Sequence, residues 1–399
     1  MENSVCHYDW CYVSGRVNVL ECNLLGVNFF EKLLSSDDFK DMLMNLSGTP
    51  LKAYFPHVKH LYEFETLLDD YYYSRLYEIR LLSPDSAVCD FFLIKNDFLN
   101  LKKFIKSKAF GTGIDNFYRG IINKNTWDDL WHGKETSLPE MFKELVSCIR
   151  KVIMSHSQNR IPPYPAMQKG VINDSPFEKG GQGGFVVPSQ KWMKERVQSI
   201  TSPVSPPLQG GDEGGGKKES LSFIIDLIFD GAYLRYIEGI YNKIDTRIIK
   251  RYLKTYQLVK GLEVIRRAMA LRLDMNLLNQ YFLEGLNQDH LFRKLAKNIA
   301  WSPEGTLREI LVEAHCNAPL QGLLSNVSGK ISFRYEVVSD DYLLDMLRSV
   351  KCIPFGPERV FGYLCGLTTE VFNLKLVLGG KVYRIENSLL KERLRKTYV

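Results

Sequence analysis

Apolar residues recurring every three or four positions govern how this chain can fold. Cys6, Trp10, Val13, Val17, Leu20 and Leu24 follow one another at steps of 4, 3, 4, 3 and 4. That spacing lays them along one side of a helix turning every 3.6 residues. Towards the other end Leu364, Leu367, Val371, Leu374 and Leu378 do the same, and Leu258, Leu262, Ile265 and Met269 make a third stripe. Strand-like alternation is confined to short pieces such as Lys330 to Val338. These patterns predict an all-α protein whose architecture is helix against helix.

Residues 157–218 interrupt the pattern. They hold 10 Gly and 8 Pro in 62 residues, half of the prolines in the chain. Within them Ser175-Pro176-Phe177 followed by Gly180-Gly181-Gln182-Gly183-Gly184 is echoed thirty residues on by Ser205-Pro206-Pro207 and Gly210-Gly211-Asp212-Glu213-Gly214-Gly215. So little apolar surface cannot offset the entropy of ordering the segment. It reads as a disordered insert within a helical domain.

A weaker self-similarity runs through the rest. Asp70 and Tyr73 precede Asp97-Phe98-Leu99-Asn100-Leu101-Lys102, Asp230 and Tyr233 precede Thr255-Tyr256-Gln257-Leu258-Val259-Lys260, and near the end comes Glu370-Val371-Phe372-Asn373-Leu374-Lys375. Lys102 and Lys260 lie 158 residues apart, 96 once the 62-residue insert is set aside, and Lys260 and Lys375 lie 115 apart. Three copies of one helical unit are the economical reading, with boundaries at 1–112, 113–273 and 274–399. In this frame Asp97 and Asn100, like Glu370 and Asn373, are three apart and share a helix face. Flanked by apolar residues they are expected to be partly buried, to need partners, and to act as interhelical locks, with Arg16 a candidate partner.

The residues point to no catalytic chemistry. The eight cysteines contain no C-x-x-C, and none of the seven histidines belongs to an H-E-x-x-H, so neither a metal nor a cofactor is expected. Gly211-Asp212-Glu213-Gly214-Gly215-Gly216-Lys217-Lys218 departs from a phosphate-binding loop, with Lys218 where Ser or Thr should stand and no apolar strand before it. Gly111-Thr112-Gly113 is weaker still, and there is no G-x-S-x-G. The start lacks a basic region followed by an apolar core, and no run reaches the ~18 apolar residues of a membrane span. The expectation is a soluble or peripheral protein with reduced core thiols.

Charge gives one binding candidate. From Arg247 to Arg272 the basic residues Arg247, Lys250, Arg251, Lys254, Lys260, Arg266, Arg267 and Arg272 face only Glu263. Such a helix suits phosphates or an acidic protein surface, and equally suits a solvated face. No aromatic platform or nucleic-acid motif accompanies it, which counts against RNA or DNA. The net charge of +6 is mild and decides nothing between them.

The C-terminal run Ile353-Pro354-Phe355-Gly356-Pro357-Glu358-Arg359-Val360-Phe361-Gly362-Tyr363-Leu364, the Glu370-to-Lys375 element, and the ending Leu390-Lys391-Glu392-Arg393-Leu394-Arg395-Lys396-Thr397-Tyr398-Val399 closely resemble the C subunit of A/V-type ATPases, the counterpart of the d subunit in the vacuolar enzyme. Tyr12, Arg16, Glu21 and Leu24-Leu25 match that family's first helix, and Asp97, Asn100 and Lys102 its recurring element. The resemblance spans both ends and all three copies, with the insert having no counterpart. It implies three similar helical domains in a pseudo-threefold funnel, present once per complex. It also implies a place on the cytoplasmic side of the membrane rotor ring, receiving the central axle made of the D and F subunits. The implied role is non-catalytic torque coupling, for ATP-linked proton or sodium transport. Thr255 and Leu258 depart from the pattern and put the middle copy's lock in doubt. The alternative is a helical scaffold that binds nucleic acid or an anionic membrane through the basic helix.

Overall fold

The computed structural model describes residues 7–36, 39–57, 63–114, 116–134, 138–158, 213–244, 246–270, 274–283, 290–298 and 332–399, with a few isolated positions between 286 and 313. Among them there is no β-strand. The α-helices of seven or more residues among them are α1 (Cys11–Glu21), α2 (Val27–Ser35), α3 (Phe39–Leu46), α4 (Phe64–Leu82), α5 (Ala87–Phe110), α6 (Lys124–Trp131), α7 (Glu140–Gln158), α8 (Glu213–Lys243), α9 (Arg247–Ala270), α10 (His290–Asn298), α11 (Ser332–Met346), α12 (Pro357–Val382) and α13 (Asn387–Arg393).

Local chemistry sets several of the ends. Gly111 closes α5 in the left-handed region at φ 67°, where its N–H reaches the Ser107 carbonyl. Asn123 caps α6 by accepting from the Asn125 N–H. Gly356 at φ 138° turns the chain into α12, and Pro357 fills the first helical position, where no N–H is needed.

The predicted apolar stripes are buried: Trp10, Val13, Val17, Leu20 and Leu24 on and around α1, Leu258, Leu262 and Ile265 on α9, and Leu364, Leu367, Val371, Leu374 and Leu378 on α12. Cys6 lies outside the described residues. The alternation at Lys330 to Val338 is not a strand, because the chain from Ser332 onward is α11. Tyr335, Ser339 and Leu343 are its buried face, and a serine in the middle of the stripe hides the helical period.

Three helix pairs, α4 with α5, α8 with α9, and α11 followed by α12, form the centre of the molecule. α5 packs on α8 and α9 on α11, while α12 returns to pack along α4. The circuit therefore closes on itself, with the short turn Arg348–Cys352 joining the last pair. α1 lies along α12 and α4, and α7 along α8.

The Gly/Pro-rich stretch lies largely outside the described residues, at 159–212. Its edges are narrower than the composition suggested, since α7 runs to Gln158 and α8 starts at Glu213. Extending an existing helix by a turn costs far less than nucleating one, so even Gly214–Gly216 continue α8 backwards.

Candidate functional site: a ring of lysine–aspartate bridges

The three lysines aligned in the sequence occupy one structural position. Each projects from the second helix of a pair to an aspartate on the first helix of the next. Lys102 Nζ on α5 lies 2.9 Å from Asp230 and 3.3 Å from Asp226 on α8. Lys260 Nζ on α9 lies 3.3 Å from Asp340 on α11. Lys375 on α12 pairs with Asp69 on α4, and these side chains are 2% and 1% exposed. Three bridges thus join three pairs head to tail.

Their electrostatics differ with burial. Burial pulls the Lys102 amine down, but Asp230 and Asp226 outweigh it and hold it above the usual lysine range. Lys260 is held up in the same way by Asp340 and Glu263. For Lys375 burial wins, and its amine is lowered despite Asp69. Asp230 and Asp340 carry a second cation each, Arg267 at 2.6 Å and Arg395 at 3.1 Å.

Two residues ahead of Lys102 and Lys375 stands an asparagine that holds the chain emerging from its own repeat. Asn100 donates to the Tyr118 carbonyl at 2.9 Å and accepts from the Tyr118 N–H at 2.7 Å. Asn373 makes the same pair with the backbone of Arg395, at 2.9 and 3.0 Å. Ahead of these, Asp97 accepts from the N–H groups of Ile121 and Ile122 at 3.0 and 3.1 Å. The strap runs so close that a Cβ on Gly120 would collide with the Asp97 carboxylate. Glu370 accepts instead from the Leu25 N–H, between α1 and α2, and from the Tyr71 hydroxyl. Burial pushes Asp97 up to about 6 and Glu370 up to about 7, against the hydrogen bonds that pull them down.

The sequence reading is corrected at three points. Arg16 does not meet an acid–asparagine pair. Its guanidinium lies 2.6 Å from Glu78 on α4, on which α1 packs. Glu21, by contrast, pairs with Arg359 at 2.6 Å. The aspartate equivalent to Asp230 is Asp69 with Tyr72, one residue earlier than expected; Asp70 pairs with Arg119 at 2.6 Å. Adjacent aspartates at 69–70 and 340–341 leave the register open to sequence comparison. Finally, the basic run is not one face. Arg247, Arg251 and Lys254 are exposed and Lys250 half-buried, but Arg266 stacks 4.6 Å over the Tyr335 ring and Arg267 joins the Asp230 bridge. Arg272 lies outside the described residues.

The three pairs line a half-open cavity of about 370 Å³, walled by Asp69, Lys260, Asp340 and Lys375 from two of the bridges and by aromatic rings such as Phe91, Tyr233 and Tyr256. No metal-competent cluster of His, Cys, Asp and Glu occurs among the described residues, and none of their helices is long and apolar enough to cross a membrane.

A set of helix pairs fastened by ion pairs around a central space carries the element that recurs in the sequence. The family described as ATP synthase (C/AC39) subunit matches residues 13–161 and 193–393, and the chain belongs to it. It is therefore a subunit of the A/V-type rotary ATPase class, in an accessory rather than a catalytic family. Of the 157–218 stretch expected to have no counterpart, only 162–192 lies outside the match, while 157–161 and 193–218 fall within it. No curated protein matches the chain.

Proposed function

We propose that this chain is the rotor connector of its ATPase, a non-catalytic central-stalk subunit that transmits torque between the ion-carrying membrane ring and the D/F axle. The observation that carries this reading, beside family membership, is the head-to-tail circuit of Lys102–Asp230, Lys260–Asp340 and Lys375–Asp69. A part that passes torque must resist shear between its own pieces, and a closed circuit has no free end at which to yield. On this reading the three repeats, 1–112, 113–273 and 274–399, form a pseudo-threefold funnel. One copy sits peripherally on the cytoplasmic face of the ring, with the axle seated in its centre and no cofactor of its own. The exposed stripe Arg247, Arg251 and Lys254, with Lys250 beside it, is then a candidate contact with a neighbouring acidic surface. Reconstitution without this subunit tests the proposal. ATP hydrolysis should continue while ion pumping is lost, and normal coupling in its absence would overturn the reading.

A further inference from the structure

One cation on the cavity wall differs from the rest. Lys260 is bridged to Glu263 at 3.2 Å and to Asp340, Lys375 to Asp69, and Arg395 to Asp340 and, at 3.8 Å, to Glu336. Lys95, on α5 one turn beyond Phe91 and Phe92, lines the same space and forms no ion pair or hydrogen bond with the described residues. Its side chain is exposed within the cavity.

We propose that Lys95 is the anchor of a binding site for a single carboxylate carried on an apolar body. An ammonium has three donors and no acceptor capacity, so a lysine in this recess takes its acceptors from water or from whatever ligand displaces it. Charge decides which acceptor. The wall carries four acids, Asp69, Glu263, Glu336 and Asp340, each already bridged to Lys260, Lys375 or Arg395. Four acids against three bridging cations leave one negative charge, which the Lys95 ammonium balances, so a bound carboxylate adds one excess negative charge to the wall whereas a phosphate dianion or a nucleotide adds two or more. The rings of Phe91, Phe92, Tyr233, Tyr252, Tyr256 and Phe372 supply an apolar lining for the rest of the ligand. Enclosure, and then the nearby Lys260, hold the Lys95 amine below the ordinary lysine value, so an arriving carboxylate both restores its charge and completes its hydrogen bonds.

The carboxylate has two possible sources, a free small molecule or an Asp or Glu side chain from a neighbouring protein of the assembly. Only the second rests on the rotor-connector reading. Competitive labelling of the full-length wild-type chain separates them. Limiting formaldehyde with dimethylamine-borane methylates lysines in proportion to their free amine, and peptide mass spectrometry reads each site. Lys95 should label faster than the exposed Lys254 and Lys297. Benzoate should slow it roughly tenfold once present at ten times its dissociation constant, benzamide should not, and the two surface lysines should be indifferent to both. That result supports a free ligand. Protection absent with benzoate but present after assembly with the remaining ATPase subunits supports a carboxylate supplied by one of them. If the chain assembles and Lys95 still labels at its free rate with and without benzoate, the carboxylate site is overturned while the rotor reading stands. Lys95→Gln gives an independent check, since benzoate should raise the unfolding temperature of the wild type and leave that of the variant unchanged.

Discussion

Asn100 and Asn373 each grip the backbone of a returning strap through two hydrogen bonds, whereas Leu258, equally placed two residues before Lys260, is simply buried. Thr255, where the outer copies carry Asp97 and Glu370, turns its hydroxyl back to the Arg251 carbonyl of its own helix. Gly231 stands where the outer copies have Asp70 and Asp341, which reach the straps at Arg119 and Lys396. Among the described residues, the middle copy's Thr255, Leu258 and Gly231 make none of the outer copies' polar contacts to a strap, yet its lysine bridge to the next pair is kept. The contrast separates two tasks that one motif performs. The lysine joins neighbouring pairs, while the asparagine, helped by Asp97 in the first copy, fastens a pair to the chain that follows it.

The bridges are the place to break that comparison hardest. Lys375→Ala leaves the Asp69 carboxylate buried without its ammonium, a loss on the order of 3–5 kcal/mol for a buried pair. Lys260→Ala should cost roughly 1 kcal/mol, because the bridge is partly solvated and Asp340 retains Arg395. Urea unfolding of the two variants checks the ranking. Equal losses would mean that burial does not distinguish the bridges. Next come the straps. Asn100→Ala or Asn373→Ala orphans a backbone N–H and a carbonyl in a largely buried setting, costing about 2–3 kcal/mol. Leu258→Asn should not return that amount in the middle copy. It places an amide in an apolar site and should destabilise.

The acids give a smaller, pH-dependent effect whose sign is fixed by their environment. The folded-state values of Glu370 and Asp97, about 7 and about 6, lie above those of an unfolded chain. The folded protein therefore holds more protons, and its stability falls as pH rises through 6 and 7. Glu370→Gln keeps an acceptor for the Leu25 N–H and can donate to the Tyr71 oxygen as the protonated acid does, so its stability should be near wild type at pH 4.5 and below, and should exceed wild type as pH rises towards 7. Its stability curve between pH 5.5 and 7.5 should be flatter, as chemical denaturation across that range would reveal.

How much of this was legible before the structure follows from the same residues. Helical class and buried stripes are local and periodic, so they were readable. The spacing of Lys102, Lys260 and Lys375 also picked out three equivalent positions, because a repeated element aligns with itself. Their partners were harder. Asp230 was read in the right place, but the Asp69–Asp70 doublet put the first copy one residue out of register, and Asp340 was missed because Leu343 replaces the tyrosine that marks the other two. The Glu78 partner of Arg16 depends on how α1 crosses α4, which no spacing within either helix encodes. The basic run failed for another reason: it spans many helical turns, and charge density alone does not say which turns face inward.

That last point leaves a test with the smallest effect on the fold itself. Arg247 and Arg251 are exposed in the first two turns of α9, whose first turn carries no acid of its own. Cations are unfavourable in the first turn, so replacing both with glutamate should leave stability unchanged or raise it by about 0.3–1 kcal/mol, chiefly through Arg247. A purely solvated face predicts nothing further. An interface with an acidic neighbour predicts that the Arg247→Glu/Arg251→Glu chain associates more slowly with the other ATPase subunits, and that the salt dependence of association weakens or reverses. Association kinetics measured at two ionic strengths distinguish the two. A variant that is at least as stable but assembles poorly would show that the charges serve a partner rather than the fold.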